Sequence, residues 1–288
     1  LADRAGTQPV LMSAGFPRFG ATVHQGYLFY RGRLVSDSIK RLDPLTPMED
    51  PDLVRFLGRQ TPHPVGLIGH LTLRQGRAAA ERALAELTAQ GMRHVLFDAS
   101  DNDDVALTAD LAAASGLPVV ASDPLIVELA VRLARAAPAA PPPAPPKGPT
   151  VVLAGSTGPV VLAQLAAFAA GHPVLTLDLL DPRGAGGLVA RALDWAAGQT
   201  GPFAISTATD AAGLARSQGA LGALGAARLA ETVLAQVARG LHAQGHRRFA
   251  VAGGETSGAV VAALGLRAAR ALPEGPLGLG LCLSQGDY

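Results

Sequence analysis

The chain has 288 residues, 49% hydrophobic and only 4% aromatic, which is enough material for two domains with separate cores. Its wealth of alanine, glycine and proline favours α/β layers packed through small residues over an aromatic-rich β-sandwich. A net charge of +1 with 16% charged residues excludes a field strong enough to draw nucleic acid or anionic lipid.

In chain order, the first sixty residues are irregular. Tyr27-Leu-Phe-Tyr, Gly32 and Arg33-Leu-Val predict a small hairpin, and Pro44, Pro47 and Pro51 predict a loop-rich excursion. The apolar run 65–69 then reads as a strand. An alanine-rich helix over 76–90 follows, with Glu81, Arg82 and Glu86 on its polar side, and it stops at Gly91. A strand at 94–98, a helix at 103–115 closed by Gly116 and a strand at 118–121 complete the pattern. Such alternation indicates βαβ units and a parallel sheet.

Residues 136–149 read Ala-Ala-Pro-Ala-Ala-Pro-Pro-Pro-Ala-Pro-Pro-Lys-Gly-Pro. Proline at that density is incompatible with a helix or a central strand and favours an extended spacer. The predicted organisation is therefore a domain over 1–137, a Pro-rich linker over 138–149 and a second domain over 150–288. The fold class is α/β: two α/β domains with mainly parallel sheets. The second domain alternates again, with strands at 150–154, 173–178, 202–206 and 248–252 and helices at 159–170, 185–197, 223–244 and 257–269. A last strand is expected near 277–283.

Two turns of this second domain stand out. The run Phe249-Ala-Val-Ala-Gly-Gly-Glu-Thr-Ser-Gly-Ala-Val-Val places a glycine-rich turn between a short strand and an Ala/Val helix. Gly253 and Gly254 would let backbone approach an anion. Thr256 and Ser257 would cap the helix and offer hydroxyls, and the first free N–H groups would point at a phosphate. Gly155-Ser156-Thr157-Gly158 is the second such turn. In open parallel sheets ligands gather at the carboxyl ends of strands, where both turns fall.

Other chemistries find little footing. Lys40 and Lys147 are the only lysines, and neither lies in a glycine loop after a strand, which excludes a Walker-type phosphate loop. No Gly-x-Gly-x-x-Gly opens a helix with an acidic residue placed for a ribose, and no Gly-x-Ser-x-Gly elbow occurs. The histidines (His24, His63, His70, His94, His172, His242 and His246) are scattered without paired metal spacing and read as surface or satisfied polar residues. Cys282 is the sole cysteine, so an intrachain disulfide is excluded; its apolar run, 279–283, predicts a buried, inert thiol. The apolar stretch 148–177 is broken by Gly155 to Pro159, which argues for strand, loop and helix over a membrane span. No signal peptide is visible, and a cytoplasmic location is the expectation.

These residues resemble a family. Ala252-Gly-Gly-Glu-Thr-Ser-Gly-Ala-Val-Val-Ala-Ala-Leu-Gly resembles the nucleotide motif of the four-carbon acid sugar kinases, with the 3-oxo-tetronate kinases as the nearest subgroup. Phe16-Pro, Gly20-Ala-Thr-Val-His-Gln-Gly-Tyr-Leu-Phe and Asp43-Pro-Leu-Thr-Pro-Met-Glu-Asp-Pro-Asp-Leu-Val-Arg resemble segments of its substrate domain. Val152-Leu-Ala-Gly-Ser resembles its first nucleotide loop, and Leu283-Ser-Gln-Gly-Asp-Tyr a variant of its last. The resemblance implies an ATP-dependent kinase acting on the terminal hydroxyl of a four-carbon sugar acid, with Mg²⁺ at the phosphates. It makes the first domain a partial substrate domain and the second a nucleotide-binding domain. Ser156, Gly253, Gly254, Glu255, Thr256 and Gly286 would contact ATP. Asp98, at a strand end, is the candidate catalytic or metal-binding carboxylate, while Asp101, Asp103 and Asp104 read as caps and charge for the next helix. The partner is a small sugar acid, not nucleic acid or membrane, and a homo-oligomer is left open.

The sequence also departs from the family. Its opening strand and Asp-Asp-x-Thr-Gly-Ala loop have no counterpart, Ala21 stands at a usually basic position, and Ala121-Ser-Asp-Pro replaces a Gly-Ser-Gly loop. The alternative to a working kinase is therefore a degenerate relative that at most binds nucleotide.

Overall fold

The apolar tetrapeptides of the first half are too short to bury themselves singly and assemble as neighbours. In the computed structural model, which describes residues 3, 4, 6, 8–43, 46–134, 144, 146–272 and 280–284, the chain divides into two compact units, Leu1–Pro138 and Ala139–Tyr288.

The first unit runs β1 (Val10–Ser13), β2 (Ala21–His24), β3 (Tyr27–Tyr30), β4 (Arg33–Leu34), α1 (Leu53–Gly58), β5 (Val65–Ile68), α2 (His70–Leu73), α3 (Arg77–Ala89), β6 (His94–Phe97), α4 (Asn102–Ser115), β7 (Val119–Ala121) and α5 (Asp123–Leu133). A parallel sheet of order β5-β6-β1-β7 forms its centre. Val95, Leu96 and Phe97 of β6 are all buried, because both sheet faces are covered and alternation is lost. On one face Phe97, Val95 and Ile68 pack with Leu84 of α3 and Leu111 of α4. On the other, Leu96 meets Val23 and Leu53. Burying a side chain such as Phe97 fully is worth about 1.5–3 kcal/mol.

The predicted hairpin is a three-stranded antiparallel meander, β2-β3-β4. Its two connections, Gln25-Gly26 and Arg31-Gly32, have positive φ at both residues (50° and 79°, 51° and 78°), the two-residue turn whose twist matches flanking strands. The α/β class and every strand predicted at 65–121 hold, but β1, α1, α2 and α5 were not anticipated. Strand β1 is central in the sheet, yet its four residues give too short a run to stand out from the irregular N-terminal segment. Helix α5 begins at Ala121-Ser-Asp-Pro, where Ser122 takes the N-cap position and a proline sits in the first turn, a start signal that reads as a loop in isolation.

The second unit runs β8 (Thr150–Ala154), α6 (Pro159–Ala169), β9 (Val174–Thr176), α7 (Gly184–Ala197), β10 (Phe203–Ser206), α8 (Ala211–Leu221), α9 (Ala223–Ala243), β11 (Arg248–Ala252), α10 (Gly254–Ala263), β12 (Ala269–Ala271) and β13 (Cys282–Ser284). Its parallel sheet has the order β11-β8-β10-β9. Val151, Leu153, Phe203 and Ile205 point into a core closed by Leu188 and Ala192 of α7, Val233, Leu234 and Val237 of α9, and Val260 of α10. The amphipathic α9 supplies the largest share of that layer.

Three expectations change here. Helix α10 begins at Gly254, three residues before the predicted start, and ends at Ala263; Gly265, at φ 67°, breaks it and residues 269–271 become β12. Helix α8, capped by Asp210 accepting the Gly213 N–H at 2.8 Å, occupies an Ala/Gly-rich stretch to which the sequence reading assigns no element. Cys282 is exposed, because it lies in β13 of the two-stranded antiparallel sheet with β12, away from the core. Most of the proline-rich stretch 138–149 lies outside the described residues. Among the described residues, no helix is long and apolar enough to cross a membrane.

Candidate functional site

Each unit gathers polar groups at the carboxyl ends of its parallel strands. In the second unit β8 and β11 are adjacent and in register, Thr150 opposite Arg248 and Ala154 opposite Ala252. The two glycine turns therefore leave the sheet side by side, and the Gly155 N–H donates to the Ala252 carbonyl at 3.3 Å. Gly253 adopts φ 119°, which only glycine takes without strain, and acts as N-cap of α10 without any side-chain cap. The N–H groups of Gly254, Glu255 and Thr256 are the first of the helix, ahead of the first intrahelical bond, Ser257 N–H to the Gly253 carbonyl at 2.9 Å. A Cβ added at Gly254 or Gly258 would meet nothing within 4 Å, so space for a ligand lies beside the helix start.

The hydroxyls behave differently from the sequence reading. Thr256 is buried, and a Cβ on Gly155 would lie 2.3 Å from its Oγ1; one on Gly253 would lie 3.2 Å from the same atom. The Thr256 side chain thus wedges between the two glycines and locks the turns together, leaving its backbone N–H as the group free for an anion. Ser257 is inside the helix, and its hydroxyl donates back to the Gly253 carbonyl at 2.7 Å, so neither residue is the cap. Ser156 sits in the first turn, its Oγ accepting the Gly158 N–H at 3.3 Å. Glu255 is exposed in the first turn of α10, where the helix dipole favours a carboxylate. Gly286 lies outside the described residues. Beside these turns, the Ser206 hydroxyl donates to the Ala154 carbonyl at 3.0 Å, and the next residue, Thr207, keeps a buried Oγ1 with no partner among the described residues. Farther along, the Arg183 guanidinium hydrogen-bonds Asp181 and holds its carboxyl well below the ordinary range.

In the first unit Asp98 follows β6 and is fully buried. Its carboxylate accepts three backbone N–H groups: those of Gln25, Gly26 (2.9 Å) and His70 (2.7 Å). It therefore clamps the tip of the β2-β3 turn and the start of α2 to the sheet. The catalytic role expected for Asp98 gains no support from this placement, since its oxygens already serve buried backbone donors.

The same clamp brings together residues that the sequence leaves scattered. His70 Nδ1 lies 2.9 and 3.1 Å from the two oxygens of Asp104, which is 2% exposed and also accepts the Ser100 N–H at 2.9 Å. His24 Nδ1 lies 2.9 Å from the Ser100 hydroxyl, and the His24 and His70 ring centroids are 5.3 Å apart. Asp101 caps α4 by accepting the Asp104 N–H at 2.9 Å. One donor atom each of His70, Asp101 and Asp104 falls within 4.8 Å of the others. Hydrogen bonds account for this grouping without a cation, because Nδ1 directs its proton at Asp104 and both carboxylates accept backbone N–H groups. The sequence reading treated His70 as a satisfied polar residue and Asp104 as helix charge. Position two residues past strand β5 is the available signal for His70, close to the one that singles out Asp98 directly after β6.

A sugar-binding N-terminal domain matches residues 1–128, and a nucleotide-binding C-terminal domain matches residues 151–285. The fold is thus two α/β units, the first matching a sugar-binding domain and the second a nucleotide-binding domain. The chain belongs to the four-carbon acid sugar kinase family. It is 36% identical over 273 residues to a 3-oxo-tetronate kinase of Burkholderia multivorans, covering 93% of this chain and 64% of the relative. It is 38% identical over 262 residues to a 3-oxo-tetronate kinase of Cupriavidus necator, covering 88% of this chain and 60% of the relative. The chain therefore spans less than two thirds of the length of these relatives. Among solved structures it is similar to a Salmonella typhimurium LT2 protein crystallised under a provisional tRNA synthase description, with a TM-score of 0.76, 29% identity and coverage of 96% of this chain and 67% of that one.

Proposed function

We propose that this chain forms part of an ATP-dependent kinase that phosphorylates the terminal hydroxyl of a four-carbon sugar acid, a 3-oxo-tetronate or a close relative. The observation that carries this reading is the pairing of two glycine turns on adjacent parallel strands, with three uncapped N–H groups at the start of α10. Phosphoryl transfer depends on positioning and on neutralising spread charge, which backbone amides and a helix start supply. The curated relatives named as 3-oxo-tetronate kinases support the same chemistry.

In this reading the N–H groups of Gly254, Glu255 and Thr256 hold phosphate oxygens, Ser156 offers its hydroxyl from the neighbouring turn, and Gly253 and Gly286 permit close approach. Mg²⁺ is usually held by substrate phosphates, water and one or two carboxylates, and Glu255 supplies a carboxylate at this turn. The metal would neutralise charge on the phosphates as transfer proceeds. Asp98 serves as an anchor in this account. A homo-oligomer and a cytoplasmic setting are compatible with the reading.

The test is calorimetric and kinetic. MgATP should raise the melting temperature of the chain, and ADP should be released on addition of a tetronate or 3-oxo-tetronate. Stabilisation without ADP release from any such acid would favour a nucleotide-binding relative that transfers nothing. The absence of stabilisation would remove the nucleotide assignment itself.

A further inference from the structure

Resting on the kinase reading, the hydrogen-bond network of the first unit assigns tautomers to two histidines. A carboxylate accepts and does not donate, so the contact of His70 Nδ1 with both Asp104 oxygens (2.9 and 3.1 Å) puts the ring proton on Nδ1. In the neutral ring Nε2 then carries the lone pair, and it has no hydrogen-bond partner among the described residues. The Ser100 hydroxyl has a single proton, given to the Val23 carbonyl at 2.9 Å. It must therefore accept from His24 Nδ1, and in the neutral ring this leaves the His24 Nε2 lone pair without a partner among the described residues. Two imidazoles, with centroids 5.3 Å apart, thus offer basic nitrogens at the carboxyl end of one parallel sheet.

The support beneath them is rigid. Asp104 is buried, and its carboxylate is fixed by the Ser100 N–H; the His70 backbone is held by Asp98 at 2.7 Å. The His24 end of the hairpin is tied to the sheet by the paired Val23 and Ala99 backbones (3.1 and 3.0 Å). The His70 side chain is 19% exposed, so a ring anchored through Nδ1 still keeps part of its surface open to solvent. A base oriented by a buried carboxylate through its far nitrogen is the arrangement that general-base catalysis uses.

We infer that His70 is the proton acceptor for the hydroxyl that receives the phosphoryl group, that Asp104 positions it, and that His24 accepts a hydrogen bond from a neighbouring hydroxyl of the sugar acid. In the step, the acceptor O–H bond breaks and its proton passes to His70 Nε2. The oxygen forms a bond to the γ-phosphorus as the bond from that phosphorus to the bridging oxygen breaks, and ADP leaves with that electron pair. The Asp104 carboxylate stabilises the imidazolium that results.

The experiment uses the full chain. His70→Ala should lower kcat by roughly 10²–10⁴-fold with KM changed only a few-fold, and added imidazole should restore part of the rate. Asp104→Asn should also lower kcat, by roughly tenfold or more, since an amide nitrogen facing Nδ1 favours the other tautomer. Nitrogen-15 spectra of the histidine rings should show His70 protonated at Nδ1, with Nε2 shifting on addition of threonate, erythronate or a 3-oxo-tetronate in the absence of ATP. A folded His70→Ala chain that retains kcat within threefold, or whose loss imidazole does not relieve, would overturn the assignment. If the wild-type chain does not turn over, a His70 Nε2 resonance indifferent to all these acids overturns it equally. The spectral arm contains no nucleotide, so failure of the ATP assignment registers separately, as missing MgATP stabilisation.

Discussion

The two units build their strand-end clusters in opposite ways. The second uses residues close in sequence, 155–158 and 253–257, and mostly backbone: glycines that leave room and amides that carry partial charge. The first uses side chains from four separate places, His24, His70, Asp98 and the Ser100 to Asp104 turn, held by two buried carboxylates, Asp98 and Asp104. A phosphate is the same anion in every nucleotide, and bare amides suffice for it. A polyhydroxy acid needs hydrogen-bonding groups at particular positions, which calls for side chains and a frame to hold them.

The sharpest way to break this comparison is to remove the frame. Asp98→Ala strands three backbone N–H groups, each costing about 1–3 kcal/mol when buried and unpaired. The expected outcome is a loss of several kcal/mol in denaturant unfolding, with amide exchange at Gln25, Gly26 and His70 rising well above that of β8 and β11. Unchanged exchange at those three amides would refute the clamp. Next in size is Gly253→Ala, which forces a side chain into φ 119° and against Thr256. It should cost at least 1 kcal/mol and reduce MgATP stabilisation at least tenfold in apparent Kd, while the histidine spectra of the first unit stay as they were.

A smaller, pH-dependent effect should be common to both units. Burial pushes the His94 and His246 imidazoles below their ordinary range, helped at His94 by the charge of His63. The unfolded chain then binds more protons, so this stability is present above about pH 6.5 and is lost as pH falls. Melting temperature should decline between pH 7 and pH 5, before carboxylates titrate, and a flat profile there would contradict the burial. The smallest expected effect is that of Ser257→Ala. Its hydroxyl bonds within the helix to the Gly253 carbonyl, so loss of about 0.5–1.5 kcal/mol with unaltered MgATP affinity is the outcome; a large affinity loss would restore the hydroxyl to the phosphate site.

That contrast also explains what the sequence discloses. The paired turns holding Ser156, Gly253 and Gly254 are legible because they are local and glycine-rich, so composition alone marks them. The placement of Thr256 is not legible, since whether its hydroxyl faces a ligand or a neighbouring glycine depends on the spacing of β8 and β11. His24, His70 and Asp104 are separated by 46 and 34 residues and meet only through sheet order and the docked meander. Strand β1 escapes notice for the same reason. Its four residues owe their strand conformation to β6 and β7 on either side rather than to their own pattern. The parallel α/β class, by contrast, is carried by strongly periodic helices and their glycine stops.

The turn at Gln25-Gly26 is gripped through its main chain, and Asp98 makes no demand on the side chains there. Such a tip is an exchangeable fitting on a fixed mount. On the proposed kinase reading, substitutions at 24 and 25 would re-tool which acid is accepted while the mount keeps its shape, provided glycine stays at 26. On that reading a lineage would change its diet of small acids through two codons, and a designer seeking new acceptors would begin with the same pair.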